Sequence, residues 1–219
     1  MTVFEAARRR MVESQLLPNK VTDERVLNAF LRIRRELFVP ETMQAVAYID
    51  EELPLGRGRF LMEPMVAARL IQAAAPARTD TALVVGAGTG YEAAVLSRLT
   101  RSVVALEEDP GLTRQARAAL VDENIAAVSV VEGPLTPGYK HRAPYDVVLF
   151  SGAVAEVPSE IEGQLAQDGR LVAVVRSEPG GVGRATLVTR RGGVIARRAM
   201  FDAATSFLPG FAPKSDFVF

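Results

Sequence analysis

The chain has 219 residues, 48% of them apolar, and its 26 basic side chains are matched by 26 acidic ones. That length and apolar content suit one hydrophobic core, and zero net charge supplies none of the positive field that marks a nucleic-acid binder. With no cysteine and only one histidine, His141, disulfides and thiolate or histidine-rich metal sites are excluded, and no metal is expected.

The arginine clusters, such as Arg8 to Arg10 and Arg190 with Arg191, are scattered along the chain and read as solvated faces. No run approaches the roughly 18 apolar residues that a membrane span needs, and Arg8 to Arg10 precede any long apolar stretch. The expectation is a cytoplasmic protein with no membrane or nucleic-acid partner, a monomer by default.

In chain order, residues 3 to 75 read as mainly helical. Phe4, Ala7 and Met11 form one stripe, and Leu27, Phe30 and Leu31 another after an N-cap at Thr22. Asp50 to Met62, with Pro54, Gly56 and Gly58, reads as an ordered loop. A third helix is predicted from Glu63-Pro64, with Val66, Ala67, Leu70, Ile71 and Ala74 at helical spacing.

From residue 82 the pattern changes. Short apolar runs at Ala82 to Val85, Val103 to Leu106, Val128 to Val131, Val147 to Phe150 and Leu171 to Val175 predict buried strands of a mostly parallel sheet. Asp109 as N-cap and Pro110 in the first turn open a helix between the second and third runs. Ala185 to Thr189 and Val194 to Phe201 read as an antiparallel pair. The predicted architecture is one α/β, Rossmann-like domain over 1–219, with a helical N-terminal cap over 1–77 and an α/β core over 78–219.

Leu83-Val84-Val85-Gly86-Ala87-Gly88-Thr89-Gly90-Tyr91 is a strand running into a glycine turn and then a helix. Glycine lets a ligand approach the backbone, and a helix N-terminus offers N–H groups to an anionic end. The dinucleotide fingerprint wants its third glycine three places after the second, whereas here the third is Gly90, two places on. That spacing favours S-adenosylmethionine over a nicotinamide dinucleotide. Glu107, 17 residues after Gly90 at a strand end, is positioned to accept hydrogen bonds from ribose hydroxyls.

Several segments resemble the protein-L-isoaspartate O-methyltransferase family: Arg10-Met11-Val12-Glu13-Ser14-Gln15-Leu16, Thr22-Asp23-Glu24-Arg25-Val26-Leu27, Glu36-Leu37-Phe38-Val39-Pro40, Leu53-Pro54-Leu55-Gly56, Ala143-Pro144-Tyr145-Asp146 and Gly169-Arg170-Leu171-Val172. The likeness runs from about residue 4 to 176. It implies the S-adenosylmethionine-dependent methyltransferase fold, and methylation of isoaspartyl residues in a protein or peptide substrate as the start of protein repair. Carried across by position, Gly86, Ala87, Gly88, Thr89 and Gly90 would hold the cofactor's amino-acid end, Glu107 its ribose, and Gly133-Pro134 would border its adenine.

Two departures stand out. Where the family reads Gln-Thr-Ile-Ser-x-Pro on the acceptor side, this chain has Arg59-Phe60-Leu61-Met62-Glu63-Pro64, so two hydroxyls become Phe60 and Met62. Where it reads Gly-Asp-Gly, this chain has Gly133-Pro134-Leu135, and proline offers neither a carboxylate nor an N–H. Arg59, Phe60, Leu61 and Met62 are expected at the crevice mouth, with Phe60 and Met62 as an apolar wall. The alternatives are a methyltransferase with a changed acceptor and a cofactor-binding or scaffold protein without catalysis. No catalytic residue is assigned.

Overall fold

The computed structural model describes residues 2–178 and 180–213. Helix α1 (Val3–Met11) begins with a capping box: Thr2 accepts from the Glu5 amide, while the Glu5 carboxylate accepts from the Thr2 amide. Helix α2 (Glu24–Arg32) is capped by Asp23, which accepts from the Arg25 amide. Thr22, expected as the cap, lies one residue too early, and the amides of Thr22 and Asp23 both donate to Gln72 Oε1.

The segment expected as a loop is instead a hairpin of β1 (Leu53–Gly56) and β2 (Arg59–Leu61). Its turn residues Arg57 and Gly58 have φ of 55° and 71°, the pair of left-handed conformations that tight hairpins require. Helix α3 (Pro64–Ala74) follows, with proline in its first turn.

The predicted strands form β3 (Thr81–Val85), β4 (Ser102–Glu107), β5 (Val128–Glu132), β6 (Tyr145–Val154), β7 (Leu165–Val175), β8 (Gly183–Arg191) and β9 (Val194–Ala203). Helices α4 (Tyr91–Ser97), α5 (Pro110–Asp122) and α6 (Ser159–Glu162) connect them. The described strands β3 to β9 lie in one sheet, in the order β5-β4-β3-β6-β7-β8-β9. It is parallel from β5 to β7, and β8 and β9 are antiparallel additions.

Both sheet faces are covered, which is why β3 and β4 read as unbroken apolar runs. Ala82, Val84, Val103 and Ala105 face a cluster that includes Met11, Phe30, Leu70 and Leu96, so the N-terminal helices share one core with the sheet. Leu83, Val85, Leu106 and Phe150 face the other way, against Ile161, Leu208 and Phe211.

Candidate functional site

Strand β3 is central and ends in the glycine turn, while β4 beside it ends in Glu107. Both therefore open on the crevice beyond the carboxyl ends of the parallel strands, where ligands bind in such sheets. Gly86, Gly88 and Gly90 have φ of 72°, 55° and 94°, which explains glycine at all three positions.

Four amides of the turn are already engaged within the chain. The amides of Gly86 and Ala87 donate to the Leu106 carbonyl, that of Gly90 to Ala87, and that of Gly88 to Glu107 Oε2 at 2.7 Å. Thr89 Oγ1 is tied to the Phe38 carbonyl.

Glu107 is fully buried, and its carboxylate is crowded with donors from its own chain. The amides of Glu108 and Asp109 reach Oε1 at 3.0 and 3.1 Å. Arg59 Nη1 lies 2.7 Å from both oxygens, and Arg59 Nη2 donates to the Gly86 carbonyl at 2.7 Å. Arg59 is itself 4% exposed. An ion pair this dry persists only with good geometry and further hydrogen bonds, and both are present.

Side chains also fill the space over the turn. A Cβ placed on Gly86 would meet Leu208 Cδ2 at 2.5 Å and Arg59 Nη2 at 3.0 Å, and one on Gly88 would meet Leu55 Cδ1 at 2.9 Å. Leu208 belongs to a strap after β9, held by hydrogen bonds between Leu208 and Ala153 and between Ala153 and Ser206. Glu52 anchors that strap through the amide of Ser206 and the hydroxyls of Thr205 and Ser206. Residues 214–219, the rest of the C-terminal segment, lie outside the described residues.

Beyond Glu107 a hollow of about 650 Å³ remains, bordered by Glu108, Pro110, Glu132, Gly133 and Pro134. Behind the turn, Tyr91 Oη and Glu92 Oε1 are buried without hydrogen-bond partners. Burial raises the Glu92 carboxyl above its usual range, only partly offset by Arg35.

The sequence profile of the family described as Protein-L-isoaspartate(D-aspartate) O-methyltransferase matches residues 7–207. The chain belongs to this family. A protein-L-isoaspartate O-methyltransferase of Methylorubrum populi is 41% identical over 188 residues, covering 86% of this chain and 87% of that one. One from Methanoculleus marisnigri is 39% identical over 168 residues, or 77% and 76% of the two chains. A solved protein-L-isoaspartate O-methyltransferase superposes with a TM-score of 0.81 at 24% identity, covering 94% of this chain and 67% of the other. A Plasmodium falciparum structure described as a candidate family enzyme in complex with S-adenosyl-L-homocysteine gives 0.76 at 17% identity, covering 94% and 98%. At such identities the last two show the shared Rossmann-like fold.

Within this protein-L-isoaspartate O-methyltransferase fold, the acceptor-side residues do not form the expected apolar wall. The two-residue period of β2 turns Arg59 and Leu61 inward and Phe60 outward. Leu61 and Met62 are core residues at 1% and 0% exposure, and Phe60 is exposed. Only Arg59 reaches the crevice, where it meets Glu107 rather than solvent. The sequence carried one signal for this, the alternation of Arg59, Phe60 and Leu61 on a short strand; the partner, 48 residues away, left none.

Proposed function

We propose that the chain transfers the methyl group of S-adenosylmethionine to the side-chain carboxylate of isoaspartyl residues in proteins. Family membership over residues 7–207 carries this reading. S-adenosylmethionine supplies an electrophilic methyl on a sulfonium; a carboxylate is already a nucleophile at neutral pH, so the protein must chiefly align the two and exclude water.

The residues present fit such a cofactor in two parts. Its nucleoside end matches the hollow at Gly133 and Pro134 beside the Glu107 carboxylate. Its amino-acid end is polar, and the partnerless Glu92 Oε1, in the field of Arg59, is a group that such an end would satisfy. Between them lie Arg59 and Leu208, which have to leave the turn before the whole molecule is accommodated. The exposed Phe60 stands on the hairpin that carries Arg59.

The reading includes a single-domain monomer in the cytoplasm. None of the described helices is long and apolar enough to cross a membrane. The test is transfer of a labelled methyl group to a synthetic isoaspartyl peptide, with the matching aspartyl peptide as control. Label on the isoaspartyl peptide alone is expected; equal labelling of both, or none on either, would contradict the proposal.

A further inference from the structure

We propose that Arg59 decides whether the cofactor site is occupied, acting as an internal ligand that holds Glu107 until S-adenosylmethionine displaces it. The inference rests on the reading of the crevice as a cofactor site, and names what controls it. A carboxylate has about four lone-pair positions. Glu107 spends them on Arg59 Nη1, shared by both oxygens, and on the amides of Gly88, Glu108 and Asp109.

Ribose hydroxyls therefore find no vacant acceptor while Arg59 is in place. The guanidinium also takes the Gly86 carbonyl, and Leu208 rests on the same glycine and on Gly152, where a Cβ would approach it to 2.8 Å. Hairpin and strap close together, because Glu52, next to β1, holds Thr205 and Ser206. Apparent affinity is the intrinsic affinity reduced by the fraction of open molecules.

Calorimetric titration with S-adenosylhomocysteine of the wild type, Arg59→Gln and Leu208→Ala tests this, with circular dichroism to show that each variant is folded. Arg59→Gln is expected to bind at least tenfold more tightly, and Leu208→Ala to shift in the same direction. Equal affinity in wild type and Arg59→Gln, weaker binding by Arg59→Gln, or no binding by any folded form would overturn the gate. Failure of the methyl-transfer reading shows separately, as tight binding by Arg59→Gln without labelling of the isoaspartyl peptide.

A second site is carried by a different observation. At the opposite end of the sheet, before β3 and β4 begin, Arg25, Arg32, Arg78 and Arg98 line a hollow of about 360 Å³ with Asn28. Arg25 is paired with Asp23, whereas Arg32, Arg78 and Arg98 make no ion pair among the described residues. The Nε of Arg98 is buried with no hydrogen-bond partner. A chain of zero net charge gathers four guanidiniums here, and forked donors of this kind suit the oxygens of phosphate groups.

We infer that this hollow binds a small phosphate-bearing polyanion. Titration with inorganic pyrophosphate at low salt should show saturable binding that weakens as salt rises. The Arg32→Gln/Arg98→Gln double variant should bind at least tenfold more weakly, with S-adenosylhomocysteine affinity unchanged. No binding at millimolar pyrophosphate, or equal binding by the double variant, would overturn this inference.

Discussion

At the level of single residues, the acceptor-side substitutions have unlike consequences. Met62 is wholly buried and its carbonyl accepts from Arg35 at 2.8 Å, so Met62→Ser would open a cavity and bury a hydroxyl rather than restore a catalytic contact. Chemical denaturation is expected to show a loss of about 2–4 kcal/mol for Met62→Ser. Phe60→Thr, at an exposed position, should change stability by less than about 0.5 kcal/mol. Pro134 borders the open hollow and has neither a side-chain carboxylate nor a backbone N–H to offer a base, so Pro134→Asp should tighten S-adenosylhomocysteine binding by roughly tenfold, read by titration. Unchanged affinity would show that the adenine edge is met by other groups.

Among elements, the hairpin and the start of α3 carry a testable pH dependence. Glu63, the residue before α3, has its carboxyl pushed up to about 7 from an ordinary 4.5, first by burial and then by Asp50, Glu52 and Glu51. A folded-state value above the unfolded one favours the native fold at low pH, and that contribution is lost as pH rises from about 4.5 through about 7. Glu63→Gln should therefore raise Tm at pH 8 and leave it unchanged at pH 4. The parallel strands were legible because burial on both faces demands unbroken apolar runs, and the Asp109-Pro110 start of α5 was legible because capping is local chemistry. The hairpin was not: its strands have four and three residues, and Pro54, Gly56 and Gly58 outweighed their faint alternation.

For the whole molecule, the crevice at the carboxyl ends of β3 and β4 follows from sequence through the glycine turn and Glu107, whereas what covers it does not. Arg59 meets Glu107 across 48 positions, and Leu208 reaches Gly86 from a strap after the last strand. Such contacts depend on how the hairpin and strap dock, which no local pattern encodes. The described fold is thus a protein-L-isoaspartate O-methyltransferase fold closed over its own glycine turn. Hydrogen–deuterium exchange with and without saturating S-adenosylhomocysteine tests that claim directly. Cofactor entry should speed exchange at the Leu208 amide, which the closed form bonds to the Ala153 carbonyl at 2.9 Å. Exchange at Leu208 that stays the same or slows, in protein shown to carry the bound ligand, would contradict it.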